Sequence, residues 1–323
     1  MINTVVGRLS QAFLLLLVMS AIGFVGIHSI GNPVFNIVNA ETATAEDIRN
    51  ATIALGLDQP LWWQYLVFMG NVVTGRFGTS YIYHLPAFPL VLSKLPATFE
   101  LATVAMLVAA PCGTLLGLHA GRRQGGLVDR LVLKASVFAL SIPSFWLSMM
   151  LILLGAIALG WLPSGGRGET TALFGKEWSF LTLDGLRHLV LPALALAVPN
   201  IALVARLARA GTIEVEGQDF IRFCRAKGLS PRRILFRHTL PNISIPIVTI
   251  VGMQFGGMLA FAVVVETIFA WPGVGKLLID SIQLLDRPVV MATLTFICVA
   301  FVLLNALVDL IYAVLDPRVR RSA

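Results

Sequence analysis

The chain has 323 residues, of which 57% are hydrophobic and only 13% charged, with a net charge of +7. Charged residues are about half as frequent as in soluble domains, and several apolar runs reach the roughly 20 residues that cross a ~30 Å hydrocarbon layer. This excludes a water-soluble globular fold and predicts an all-α integral membrane protein with the lipid bilayer as its first partner. The three cysteines, Cys112, Cys224 and Cys298, have neither CxxC spacing nor a neighbouring histidine cluster, so neither a disulfide framework nor a zinc site is indicated.

The first predicted span, about Leu9 to Ile30, follows Arg8. It is longer than the apolar region of a secretory signal and lacks a convincing small-x-small cleavage pattern, so residues 1–30 read as a retained helix with its amino-terminal segment. The loop over 31–96 contains helical signals of its own. Thr44 is placed to cap a helix with Asp47 at N3, and Ile48, Ala51, Thr52 and Leu55 fall on one face. Pro60 is expected at N1 of a second helix. Its Trp62, Trp63 and Tyr65 suit either the headgroup level of the membrane or packing against the protein's own spans.

Five further spans are predicted: Thr98 to Ala120, Val132 to Leu162, Leu189 to Leu207, Ile243 to Phe269 and Val289 to Leu315. They make residues 97–315 a five-helix core, followed by a tail over 316–323. Pro111, Pro143, Pro192, Pro199 and Pro246 lie within these spans, where each removes a backbone donor. Gly113, Gly117 and Gly121, and separately Gly252 and Gly256, have the GxxxG spacing that allows helices close approach.

Six spans place both termini on one side. Sixteen of the 24 lysines and arginines then fall on that side, which the positive-inside rule makes cytoplasmic. Topology accounts for the basic charge, and no nucleic-acid partner is expected.

Enzymatic signatures are missing. In "WPGVGKLL", Ala270 and Leu277 stand where a phosphate-binding loop needs glycine and Ser or Thr, so Pro272 to Gly275 reads as a turn. There is no HExxH and no GxSxG, so no metal, no bound cofactor and no catalysis by this chain are expected. Glu100, Glu266 and Asp309 are acids near or within spans, where unpaired carboxylates are costly. A secondary carrier would favour such acids together with inverted repeats, and no convincing repeat is found.

The basic stretch between the fourth and fifth spans carries Arg222, Arg225, Lys227, Arg232, Arg233 and Arg237 within a loop over 209–242. "GQDFIRFCRAKG" places Phe220, Phe223, Cys224 and Lys227 on one helical face, and Gly228 supplies a stop at positive φ. "SPRRILFRHTLP" restarts a helix with Ser230 as N-cap and Pro231 at N1, and Leu240-Pro241 is expected to end it. The pattern suits a docking element gripped by another protein.

"DFIRFCRAKGLSPRRILFRHTLPN" resembles the EAA loop of permease subunits of binding-protein-dependent ABC importers, in the form typical of dipeptide and oligopeptide permeases. Cys224 stands where that form usually has alanine, and Arg222, Phe223 and Cys224 replace the literal triplet. "LGLDQPLWWQY", "LPATFELA", "IPSFWLSMML", "HLVLPALALA", "VVETIFAWPGVGKLLIDSI" and "LVDLIYAVLDPRVR" are similar to segments of that subfamily in the same order, so the resemblance covers nearly the whole chain.

The resemblance implies the six-helix type I importer permease fold in a bacterial inner membrane. It further implies a second, homologous permease as heterodimer partner, two cytoplasmic ATPases that carry ATP and Mg, and an extracytoplasmic binding protein. The coupling residues would be Asp219, Phe220, Arg222, Phe223, Arg225, Ala226, Lys227 and Gly228, with Pro231, Arg232 and Arg233 at the rim and Leu240 and Pro241 closing the segment. Glu266, Thr267 and Trp271 are candidates for the outer end of a translocation pathway, and Glu100 is a fourth. The Glu266 carboxylate would meet the amino end of a peptide or a basic partner residue, or else be a helix-end group in water. The cargo stays open among di- and oligopeptides, glutathione-like compounds, opines and nickel complexes. A self-contained channel or carrier is the competing class.

Overall fold

A computed structural model describes residues 44–315 continuously and, before them, residues 14, 17, 18, 20–26, 28, 31, 34 and 38; side chains are described to residue 303, except 260 and 261. Half of the first predicted span, Asp309 as a side chain and the 316–323 tail lie outside the described residues. The chain divides into two compact units, Met1–Ala97 with Pro272–Leu303, and Thr98–Trp271 with Leu304–Ala323.

In the first unit, α1 (Ala45–Ala54) carries the expected capping box: the Asp47 N–H donates to Thr44 Oγ1 at 3.2 Å and the Thr44 N–H to Asp47 Oδ2 at 3.0 Å. The Thr44 hydroxyl, which donates to Asp47 Oδ2 at 2.7 Å, and next the Thr44 N–H stabilise the charged form and hold the Asp47 carboxyl below its usual range. Ile48, Ala51, Thr52 and Leu55 are its more protected face. Next comes α2 (Leu61–Thr74), in which Pro60 is the N-cap rather than N1. Trp62 and Trp63 are exposed, whereas Tyr65 packs inward and its hydroxyl lies 3.0 Å from Ser20 Oγ. On the same inward side, Gln64 Oε1 accepts from His28 Nε2 at 2.8 Å.

This unit also holds two helices from late in the chain, α11 (Val274–Gln283) and α12 (Arg287–Leu315) as far as Leu303. Val274 and Gly275, expected within a turn, form the first turn of α11, capped by Gly273. Val274 and Leu277 pack with Val289 and Ala292 on Ala87, Leu90 and Val91.

The second unit is built on long apolar helices. The helix α3 (Ala87–Arg122) runs further toward its amino end than hydropathy alone places it. Its glycines meet α6 (Leu183–Glu216): a β-carbon at Gly117 would fall 2.4 Å from the Ala205 carbonyl oxygen, at Gly113 2.8 Å from that of Ile201, and at Gly121 2.7 Å from that of Arg209. The GxxxG spacing therefore serves backbone contact. Pro192 and Pro199 sit inside α6 without ending it.

The predicted span Val132 to Leu162 is not continuous. It becomes α4 (Leu127–Ser141) and α5 (Ser144–Leu151), the latter extended by π-helical Ile152–Ala158, with a bend of 104° between the two arms. Pro143 disfavours helical geometry at Ile142, which adopts φ −79 and ψ 126, and the helix stops there. A short hairpin follows, β1 (Thr171–Leu173) antiparallel to β2 (Lys176–Trp178). Near the start of α4, buried Asp129 accepts from Arg209 Nη2 at 2.9 Å and from the Gly125 N–H at 2.8 Å. Arg209, one of the basic residues that set the expected orientation, is thus also a structural partner.

Beyond α6 come α7 (Asp219–Ala226), α8 (Pro231–Ile234), α9 (Leu240–Phe261) and α10 (Val263–Ile268). Among the described residues, three helices are long and apolar enough to cross a membrane: Ala87–Arg122, Leu183–Glu216 and Pro231–Leu259; the bent pair makes a fourth if counted as one span.

Candidate functional site

The basic segment is a helix, a glycine turn and a second helix. Gln218 caps α7, and after Lys227 the chain turns through Gly228 at φ +73. Open space surrounds that position, so the need for glycine is conformational. Ser230 caps α8 by accepting from the Arg233 N–H at 3.4 Å, and Pro231 is at N1 as expected.

The expected end at Leu240-Pro241 is overturned. The chain passes from α8 through π-helical Leu235–Thr239 directly into α9, so both residues open a span instead of closing a helix. Pro241 lacks an N–H and its ring needs room in the preceding turn; a widened π turn just before it meets both demands.

The face expected from Phe220, Phe223, Cys224 and Lys227 also divides. Ile221 and Cys224 are buried against Val215, Ile234, Leu235 and Ile243, because a step of about 100° per residue carries Cys224 toward Ile221 and away from Phe223. Phe223 is 60% exposed and Phe220 38%. Lys227 Nζ stands 4.5 Å from the Phe223 ring centroid. Arg222 bonds Asp219 at 3.1 Å, and Arg225 pairs with Glu216. Glu216 Oε1 also accepts from Thr239 Oγ1 at 3.5 Å, so it ties the end of α6 to both halves of the segment. Ala226, Pro231, Arg232 and Arg233 are exposed, and neither arginine has an ion pair among the described residues. The result is two exposed phenylalanines set among cations on a buried apolar footing.

The pathway candidates have a different character. Glu100 is buried and accepts five hydrogen bonds: from Arg167 Nε and Nη2 at 3.1 and 2.6 Å on Oε2, and from the Ser179 N–H, the Ser179 hydroxyl and the Phe180 N–H at 2.7, 2.8 and 2.8 Å on Oε1. Arg167 also bonds the Glu177 carbonyl at 2.7 Å and lies 5.7 Å from the Trp271 ring centroid. Glu100 thereby fastens the hairpin region to α3.

Glu266, in α10, is fully buried and accepts from Thr98 Oγ1 at 2.6 Å, which removes the reading of a helix-end carboxylate in water. Trp271 is fully buried, and its backbone N–H donates to the Glu266 carbonyl at 2.8 Å. Only Thr267 is exposed; its hydroxyl donates to the Val263 carbonyl at 2.8 Å. Sequence reasoning did not find Thr98, Arg167, Ser179 or Glu216. The signal nearest to legible was Arg167 in a glycine-rich loop. No group of three metal-ligating side chains occurs among the described residues.

An exposed aromatic and basic surface beside long apolar helices agrees with what the chain is similar to. The family model "Binding-protein-dependent transport system inner membrane component" matches residues 113–321. The chain belongs to this family. A second model, "Binding-prot-dependent transport system membrane comp, N-term", matches residues 1–102. Over 306 residues, 90% of each chain, it is 39% identical to the di/tripeptide transport system permease protein DppB of Pseudomonas aeruginosa. Over 340 residues, all of both chains, it is 33% identical to the dipeptide transport system permease protein DppB of Escherichia coli K12. The glutathione transport system permease protein GsiC of the same organism is 34% identical over 320 residues, 99% of each chain. The chain is thus a multi-pass ABC permease of the dipeptide and oligopeptide type.

Proposed function

We propose that this chain is the permease subunit of an importer that carries di- and tripeptides across a bacterial inner membrane. The similarity over 90% of both chains to a di/tripeptide permease carries this reading. In it, the chain has the six spans of the type I fold, both termini and the basic segment are cytoplasmic, and the 31–96 helices are extracytoplasmic. A homologous permease completes the pore as a heterodimer, a binding protein delivers cargo, and two ATPases supply the work. ATP and Mg reside on those ATPases, and this chain catalyses nothing.

Phe220 and Phe223 enter a groove on the ATPase, each contributing roughly 1.5–3 kcal/mol on burial, while Arg222, Lys227, Arg232 and Arg233 meet an acidic rim. Asp219, Arg225, Ala226 and Gly228 hold the shape of α7 and its turn, and Leu240 and Pro241 pass movement into α9. At the other end, Thr267 faces the cargo path. Glu100, Glu266 and Trp271 form its rigid backing.

Vesicles containing the chain with its partner permease, ATPases and binding protein test the assignment. ATP-dependent uptake of labelled dialanine is expected, and uptake without ATPases would instead favour a self-contained carrier. The similarity to a glutathione permease supports a second reading, which preferential uptake of labelled glutathione would establish.

A further inference from the structure

The first unit holds two spaces that share walls. One is a cavity of about 450 Å³ edged by Arg76, Arg287, Gln64, Asn71, Trp63 and Tyr81. The other is an apolar groove of about 550 Å³ along Gly23, Gly26, Val72, Val290, Leu294 and Cys298. Phe68 and Met291 line both, so a cationic chamber adjoins an apolar one.

Among the described residues no ion pair neutralises the chamber's arginines. Arg76 is exposed just past the end of α2 and has no ion pair among the described residues. Arg287 begins α12, where the unpaired N–H groups of a helix start add positive potential, and one of its guanidinium nitrogens donates to the Gly31 carbonyl at 2.7 Å. The adjacent carboxylate, Asp286, is buried, and its oxygens accept from the Ser80 hydroxyl and the Tyr81 N–H. In the groove, Gly26 leaves space that a side chain would fill, since a β-carbon there would meet no atom within 4 Å, whereas one at Gly23 would come within 3.2 Å of Leu294 Cδ1.

We propose that the two spaces together hold one anionic phospholipid, its phosphate between Arg76 and Arg287 and an acyl chain in the groove. A small anion would satisfy the arginines and leave the groove uncovered. A neutral lipid would fill the groove and bring no anionic group to the two arginines. Trp63 on the same rim is of the residue type that gathers at headgroup level. Such a lipid would join α2, α12 and the helical turn around Phe24.

The full chain, purified from membranes in neutral detergent, is titrated with dioleoylphosphatidylglycerol, dioleoylphosphatidylcholine and inorganic phosphate, followed by native mass spectrometry and thermal unfolding. Phosphatidylglycerol is expected to bind as one lipid and raise the unfolding midpoint more than phosphatidylcholine, with phosphate having little effect. Arg76→Gln, at an exposed side chain, should weaken phosphatidylglycerol binding about fivefold, and Gly26→Leu should weaken both lipids. Equal affinity for the two lipids, or unchanged binding in both variants, would overturn the proposal. So would full stabilisation by phosphate alone, which would make the chamber a free-anion site.

Discussion

The basic segment around α7 and the carboxylate cluster around Glu100 are both polar regions attached to apolar helices, yet their polar groups are used in opposite ways. Both carboxylate oxygens of Glu100 are engaged within the second unit. On α7 and α8 the inward residues are apolar, while Arg232, Arg233 and two phenylalanines face outward. A satisfied buried network fixes geometry, and an outward-facing apolar patch rimmed by unmatched charge is incomplete without a partner. Under the proposed function the first region is structural and the second associates with the ATPase, and mutation can separate the two.

The largest effect is expected from Glu100→Ala. It strands the Arg167 guanidinium, whose side chain is only 14% exposed, and leaves the donors of Ser179 and Phe180 without an acceptor. Breaking a buried pair from one side costs about 3–5 kcal/mol, enough to lower the yield of folded protein in a detergent-stability assay. Wild-type stability would show that the cluster is not a fastening.

Phe223→Ala should behave in the reverse way. Fold stability should hold, while ATPase association weakens by about 2 kcal/mol, near thirtyfold, as for a truncated aromatic hot spot. Binding of purified ATPase subunits to the permease in vesicles measures it, and unchanged binding would break the contrast.

A smaller cost follows from Gly228→Val. A β-branched residue at φ +73 is strained by about 1–2 kcal/mol, and relief of that strain rotates α8 relative to α7. Membrane insertion should persist while stimulation of the ATPase is lost; normal transport would argue that the turn's conformation is unimportant. The smallest effect belongs to Cys224→Ala. Cys224 faces the core beside Ile221, so coupling should be preserved and stability reduced by about 1 kcal/mol. Loss of coupling here would place the contact face on the wrong side of α7.

How much of this was legible in sequence depended on the distance between partners. The Thr44 and Asp47 capping box, the Ser230 and Pro231 start and the Gly228 turn are local, with partners at most three positions apart, and each appears as expected. Glu100 draws its partners from residues 67 to 80 positions away, a separation that leaves no periodic trace. Pro143 was visible as a helix breaker, but the 104° bend depends on how both arms pack. Leu240-Pro241 was misread because proline signals a start as readily as a stop, and the π turn that decides between them has no composition of its own. The division between Phe223 and Cys224 required knowing which neighbours lie beneath α7.

The central claim, that the outward face of α7 is where the ATPase docks, is tested most directly by photocrosslinking in membranes containing the assembled transporter. A benzoylphenylalanine is placed at Phe223 in one variant and at buried Ile221 in another. The account predicts a crosslink from position 223 to an ATPase subunit and none from position 221. An ATPase crosslink from 221 with none from 223 would contradict it.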